Sequence, residues 1–318
     1  MRIVVALGGN ALLRRGEPAE AETQRRNLSP VSGTLASLSA QHELVVTHGN
    51  GPQVGLLALE ANAYKAVHAY PLDILGAESQ GMIGYLLVQA LSGELRHGSV
   101  VALLTRVVVD SDDPAFARPT KPIGPVYSEP EALELAEQNG WTVAPDGPFF
   151  RRVVGSPEPR RIVELASIIE LLEAGSIVVC AGGGGVPVVA DGSRLVGVEA
   201  VVDKDLTAAL LAADIGADRL LMLTDVPNVE RGWGSYASSP IRDVEPAELR
   251  ALSFAPGSMG PKVEAACRFV ERTGRTAAIG ALDQLEQVVS GIAGTQISPA
   301  VREFADGLHT VGAARAGS

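Results

Sequence analysis

Aromatic residues are scarce in this chain, at 4% of 318 residues, so it offers few rings on which nucleic-acid bases could stack. Positive charge is also in deficit. The 26 Lys and Arg residues face 37 Asp and Glu, a formal charge of −11 that argues against broad binding to nucleic acid or an anionic membrane. Any cationic site must be local. Cysteine is nearly absent: Cys180 and Cys267 lie in apolar runs without metal-ligand spacing, and read as small core residues in a reducing compartment. A thiol mechanism and a disulfide framework are both set aside. No uninterrupted apolar stretch reaches the roughly 18 residues of a membrane span, and the N-terminal run stops at Gly8, too soon for a secretion signal. The expected location is the cytoplasm, with no membrane partner.

What is present is apolar mass and glycine. With 46% hydrophobic residues, 20% charged residues and 35 glycines, the chain can build a large α/β core with many close backbone turns. Its first element sets the pattern. Arg2-Ile3-Val4-Val5-Ala6-Leu7 is a short β-branched run that breaks at Gly8-Gly9-Asn10 and resumes as helix formers Ala11-Leu12-Leu13, a buried strand turning sharply into a helix. Glycine permits close approach of the main chain, and the unpaired N–H groups of a helix start carry partial positive charge. Such a turn seats an anion, although strand-to-helix turns of this kind also occur without one. The motif recurs. Glu43 to Thr47 leads into His48-Gly49-Asn50-Gly51-Pro52 and a helix from Gln53 to Tyr64, with asparagine amides adding donors beside the backbone. His48 reads as structural rather than as a general base.

Between these motifs, Arg14 to Ser29 reads as a loop or short helix, and Ser29-Pro30 as the cap and first turn of a helix ending near Ala40. Pro71 to Gln80 reads as a loop and Gly81 to Leu95 as an apolar helix, in which Gly81-Met82-Ile83-Gly84 serves close packing rather than phosphate binding. Strands follow at Val100–Leu104 and Val107–Asp110. From Ser111 to Arg161 prolines recur, which interrupts the strand–helix alternation and predicts a separate small excursion. Inside it Pro119-Thr120-Lys121-Pro122-Ile123-Gly124-Pro125 holds one lysine in a stiff turn, either a solvated side chain or a cation delivered to a site. A helix near 163–174 and a strand near 177–181 then lead to Gly182-Gly183-Gly184-Gly185, which matches no standard phosphate fingerprint, and to a hairpin over 186–198.

Two lysines stand in the wrong place. Asp203-Lys204-Asp205 opens an apolar helix, where the aspartates suit the dipole and Lys204 opposes it; Ser258-Met259-Gly260-Pro261-Lys262 opens another, with Ser258 a cap and Lys262 again in the first turn. One such lysine at a wet surface costs a few tenths of a kcal/mol. Two beside glycine-rich loops predict a multiply charged anion between the helix ends. Phosphoryl transfer fits, because it needs positive charge over the moving group and the leaving oxygen and little covalent help. Asp225, at the end of the strand Arg219–Thr224, adds a polar tip where ligand sites form in open α/β sheets.

Taken together, Gly8-Gly9-Asn10-Ala11, Thr47 to Gln53, Gln80 to Tyr85, Pro119 to Tyr127, Asp203-Lys204-Asp205 and Gly257 to Lys262 resemble the carbamate kinases of the amino acid kinase superfamily, over about residues 2–297. The resemblance implies an α/β fold, a three-layer αβα sandwich on an eight-stranded, mainly parallel sheet. It implies an acceptor-binding half over about 1–195, a protruding subdomain over about 112–162, a nucleotide-binding half over about 196–298, and a tail over 299–318. The implied reaction is reversible phosphoryl transfer between carbamoyl phosphate with ADP and carbamate with ATP. By position, Lys121, Lys204, Lys262 and Asp205 would serve the chemistry, and Gly8, Gly9, Asn10, Gly49, Asn50 and Gly51 the acceptor. Asp203, Lys204, Asp225, Met259, Gly260 and Lys262 would serve the nucleotide. Mg²⁺ would be held by the nucleotide phosphates, with no carboxylate cage of its own, and the assembly would be a homodimer. The loop Val226 to Arg231, before Trp233-Gly234, and the tail depart from the family pattern, and by the resemblance that loop would touch the adenine. Two other readings share part of these features: a related phosphotransferase for a different small acid, and a nucleotide-binding regulator without turnover.

Overall fold

The β-branched run at the N-terminus becomes the strand Arg2–Leu7, and its side chains alternate between two cores. Val4 and Ala6 face one buried cluster, whereas Ile3, Val5 and Leu7 face another. A strand covered on both sides has no polar face, which is why it reads as a continuous apolar run rather than an alternating one. The computed structural model describes residues 1–14, 16–64, 70–254 and 259–299, with the Asn10 side chain outside that description. Within them, eight strands lie side by side in the order Asp243–Val244, Thr295–Ile297, Thr276–Ala281, Arg219–Thr224, Arg2–Leu7, Glu43–His48, Ser176–Val179 and Ser99–Ala102. Every junction is parallel except that between Thr276–Ala281 and Thr295–Ile297. The sheet is therefore mainly parallel, as expected.

The helices are α1 (Ala21–Ser39), α2 (Gly51–Ala63), α3 (Leu72–Glu94), α4 (Glu129–Asn139), α5 (Leu165–Glu173), α6 (Lys204–Asp214), α7 (Pro246–Arg250), α8 (Met259–Thr273) and α9 (Leu285–Val289). Residues of α5, α6 and α8 fill one core cluster and residues of α1, α3 and α9 the other, so helices cover both faces of the sheet. Each fully buried Leu or Ile in these layers contributes about 1.5–3 kcal/mol of transfer free energy. A second sheet joins the hairpin Val186–Asp191 and Arg194–Gly197 to Arg106–Val108 and Arg161–Ile162. The proline-rich stretch forms a third, antiparallel sheet, in the order Lys121–Tyr127, Phe149–Val154, Thr142–Asp146, with α4 beside it. Among the described residues no helix is long and apolar enough to cross a membrane.

Several expected elements differ. The helix expected from Ser29-Pro30 starts at Ala21, so the later part of the stretch read as a loop or short helix is continuous with it and Pro30 lies inside it. The buried positions Thr23, Gln24, Asn27, Leu28, Val31, Ser32, Leu35 and Ala36 run in one helical stripe across the proline. Packing along that stripe outweighs the one donor that proline removes. Likewise the loop expected over Pro71 to Gln80 is the opening of α3, with Pro71 at its N-cap and Leu72, Leu75, Ser79 and Gln80 buried. The stiff turn expected around Lys121 is an edge strand, Lys121–Tyr127, the position where a sheet tolerates Pro122 and Pro125. In α3 a Cβ on Gly84 would lie 2.9 Å from the Ala102 side chain, so this glycine does serve close packing. Ser258, the expected cap of α8, and the tail beyond residue 299 lie outside the described residues.

Candidate active site

Four neighbouring strands of the sheet, Arg219–Thr224, Arg2–Leu7, Glu43–His48 and Ser176–Val179, end at the same side and deliver Asp225, Gly8-Gly9, Gly49-Asn50 and Gly182 to Gly185. Ligands in parallel sheets bind at carboxyl ends of strands, because loops there diverge and helix N-termini point in. A cleft of about 730 Å³ opens at this edge, within the range of small-molecule sites. It is lined by Gly8, Gly9, Gly49, Asn50, Gly51, Lys121, Asp203, Lys204, Asp205, Asp225, Met259 and Lys262, so these expected site residues share one space. Gly260 lies between two lining residues, Met259 and Pro261, without lining the cleft itself. Asn10 belongs to the turn Gly9–Ala11, and its side chain is outside the described residues.

Carboxylates hold all three lysines. Lys121 Nζ donates to Asp203 Oδ2 at 2.6 Å, Lys204 Nζ to Asp205 Oδ1 at 2.6 Å, and Lys262 Nζ to Asp205 Oδ2 at 3.0 Å. Asp203 has a second task. Its other oxygen caps α6 by accepting the backbone N–H of Asp205 at 2.9 Å and of Leu206 at 3.2 Å. Local sequence explains the rest: an aspartate at the N-cap and another in the first turn suit the dipole, and they soften the cost of Lys204 between them. Three ammonium groups against two carboxylates leave this cluster with a net charge of +1 before any ligand enters. Burial works to raise the pKa of the Asp205 carboxyl, but the charges of Lys204 and Lys262 outweigh it and hold the group well below the usual range. Burial and then Lys204 pull the Lys262 ammonium down, while Asp205 opposes them.

The glycine-rich turns make room for this arrangement. A Cβ on Gly49 would lie 3.1 Å from Gly9 N and 3.3 Å from the Lys204 stem, so the two Gly-Asn turns touch each other and the lysine. Gly183, with φ of +65°, faces Asn50, and a Cβ there would lie 2.2 Å from its Nδ2. Asn50 Nδ2 donates to Ser79 Oγ at 2.8 Å, which fixes the amide at the start of α2. Sequence reading missed Ser79, because it took that stretch for a loop. Ser253 and Phe254, beside Met259 in the cleft wall, carry no signal in the sequence. Val226 and Asn228 of the same wall come from the loop that departs from the family pattern, Trp233 follows it, and all three do line the cleft.

His48 is no proton carrier here. Its ring is 1% exposed and packed on Gly182, where a Cβ would lie 2.3 Å from Nε2. Burial pulls its pKa down to about 4, against the hydrogen bond with the Gly49 carbonyl and with help from the Lys204 charge. Between about pH 6.5 and 4 the unfolded chain therefore binds a proton that the folded chain refuses. The contribution of His48 is complete above the unfolded value and is lost as pH falls towards 4, by up to ~3 kcal/mol. We expect denaturation midpoints to fall less steeply over this window in His48→Gln than in the wild type. Equal slopes would mean that the folded ring accepts the proton.

Residues 1–281 match the amino acid kinase family. The chain is 55% identical to the carbamate kinase of Rhizobium meliloti over 302 residues, covering 94% of this chain and 93% of that one. It is 52% identical to the carbamate kinase of Escherichia coli strain K12 over 298 residues, covering 93% and 99%. A solved structure of carbamate kinase from Giardia lamblia bound to AMP-PNP superposes with a TM-score of 0.85 at 37% identity, covering 94% of this chain and 98% of that one.

Proposed function

We propose a mechanism from the premise that this chain belongs to the amino acid kinase family, in its carbamate kinase branch. The reaction is reversible phosphoryl transfer, in which carbamoyl phosphate and ADP give carbamate and ATP. The observation that carries the mechanism is the double hold of Asp205 on Lys204 and Lys262 across one cleft, with Lys121, from the subdomain strand, held at the same helix start by Asp203. In line transfer of a phosphoryl group puts charge on its equatorial oxygens and on both flanking oxygens, and fixed cations stabilise that distribution. Lys204 and Lys262 serve the phosphate chain, Lys121 serves the moving group, and Asp205 orients the first two. The acceptor lies against Gly8, Gly9, Asn10, Gly49, Asn50 and Gly51, where the amides at the start of α2 suit an anion.

On this reading the acceptor half spans about 1–195, the protruding subdomain about 112–162 and the nucleotide half about 196–298. The nucleotide extends from Lys204 and Lys262 past Asp203, Asp225, Met259 and Gly260 towards Phe254 and Trp233. Mg²⁺ enters with the nucleotide as part of the substrate, since the Asp203 and Asp205 carboxylates are engaged by lysines. Dimerisation is supported by Ile74 and Tyr85, exposed on one stripe of α3, with Leu104 exposed just beyond the edge strand Ser99–Ala102. Buried free thiols at Cys180 and Cys267 suit a reducing cytoplasm.

The direct test is a coupled assay for ATP with ADP, Mg²⁺ and one acyl phosphate at a time. We expect carbamoyl phosphate to support turnover at least 100-fold faster than acetyl phosphate or N-acetylglutamyl phosphate. Comparable rates with another acyl phosphate would assign the cleft to a different acid. Tight ADP binding without turnover of any of them would make the protein a regulator.

A further inference from the structure

Gly55 lies within α2, buried, where an alanine would favour the helix more. None of the phosphate-binding motifs requires a glycine at this position. The reason for it lies across the interface with the subdomain. A Cβ on Gly55 would lie 2.3 Å from Gly124 Cα, 2.7 Å from its nitrogen and 3.3 Å from its carbonyl carbon, all backbone atoms that cannot rotate away. Gly124 belongs to the strand Lys121–Tyr127 and has φ of +73°, a conformation that side-chain-bearing residues rarely adopt. The pairing of this strand with Phe149–Val154 also shifts register between Ile123 and Tyr127, so the backbone bends at the contact.

The surroundings make the contact a seat. Val54, Ala58, Leu72, Leu75, Ile123 and Val154 form a small buried cluster that joins α2 and α3 to the subdomain sheet. Further ties run from the neighbouring strand Phe149–Val154 and the residue after it. Arg152 donates to Glu199 at 3.0 Å while Glu199 accepts the Leu72 N–H at 2.8 Å, and the Val201 N–H donates to the Gly155 carbonyl at 3.0 Å. The Gly55 contact is different because of what flanks it on both chains. Three residues before Gly124 is Lys121, bonded to Asp203; one helical turn before Gly55 is Gly51, which lines the cleft beside Asn50.

We propose that Gly55 is a positioning residue for Lys121. By lacking a side chain it lets the subdomain strand rest directly on α2, and so sets the height of the lysine above the anion seat that the same helix presents. An added methyl would lift the strand, and Lys121 with it, while Lys204 and Lys262 keep their own hold on Asp205. Shifts on the order of 1 Å in a catalytic group are enough to cost transfer rate.

This rests on the role given above to Lys121, and a double-mutant cycle separates the two ideas. Turnover of carbamoyl phosphate with ADP is measured for the wild type, Gly55→Ala, Lys121→Ala and the double variant, with ADP affinity followed by calorimetry. Gly55→Ala is expected to lower kcat at least 10-fold with ADP affinity within 2-fold, and to change kcat less than 2-fold once Lys121 is alanine. An equal fold-loss in both backgrounds overturns the inference, since damage unrelated to Lys121 would persist. Full activity in Lys121→Ala overturns the premise instead. If Gly55→Ala does not fold, Gly124→Ala enters the same cycle; its Cβ would meet Gly55 Cα at an ordinary 3.8 Å but strain the positive φ. The same loss of effect in the Lys121→Ala background is expected, and an additive loss again overturns the inference.

Discussion

Lys121→Ala should lower kcat for ATP formation by roughly 10³-fold while leaving ADP affinity within a few-fold, the pattern of a cation used mainly in the transition state. The lysine lies in the subdomain strand, whereas the nucleotide half supplies its own cations, Lys204 and Lys262. Ground-state binding of ADP therefore has little to lose. Stability should also change little. The Lys121 side chain is 31% exposed, and Asp203 keeps its two backbone donors at the start of α6 when the lysine is gone. Lys121→Arg should recover little activity, because a planar fork cannot occupy the position of a compact ammonium. Initial rates and calorimetric titration of ADP decide the matter. A loss in kcat below about 5-fold would remove Lys121 from the chemistry.

Asp205→Asn should do more than stop turnover. The carboxylate accepts from Lys204 and Lys262 at once and is 4% exposed. An amide in its place can accept from one ammonium and points its own N–H groups at the other. Two ammonium groups would then share the cleft without their counter-charge, and removing one side of a buried ionic cluster costs about 3–5 kcal/mol. The melting temperature should fall on the order of 10 °C. The cluster would change from three cations and two anions to three and one, or from +1 to +2. Added pyrophosphate should consequently raise the melting temperature of Asp205→Asn more than that of the wild type, because a bound anion now replaces the missing carboxylate. A variant as stable as the wild type, with no larger response to pyrophosphate, would show that Asp205 is not the hinge of the charge network.

Legibility in the sequence varied with the kind of signal. Turns were plain, since Gly8-Gly9-Asn10 and Gly49-Asn50-Gly51 interrupt apolar strands with residues small enough for backbones to approach closely. Lys204 and Lys262 stood out because they oppose a helix dipole, a conflict visible within a few residues. Helix extents were less legible. Gln24, Asn27, Ser79 and Gln80 are buried and polar, satisfied by partners distant in the chain: Gln53 donates to Gln24 at 3.0 Å, and Gln80 exchanges bonds with the Thr105 backbone at 3.1 and 2.9 Å. Hydrophobic periodicity registers such residues as surface or loop, so the openings of α1 and α3 went unread. Gly55 gave no signal, because a glycine inside a helix looks the same whether it faces solvent or another backbone.

The sequence by itself determined the strand–glycine–asparagine turns, the doubly buried strands and the misplaced lysines, because each follows from the chemistry of a few adjacent residues. Only the tertiary structure decided which carboxylate holds which lysine and how the subdomain rests on α2. Lys262 reaches Asp205 across 57 positions and Lys121 reaches Asp203 across 82. Such pairs are chosen by where neighbouring strands end and how closely two backbones can approach, and those distances exist only once the sheet has assembled.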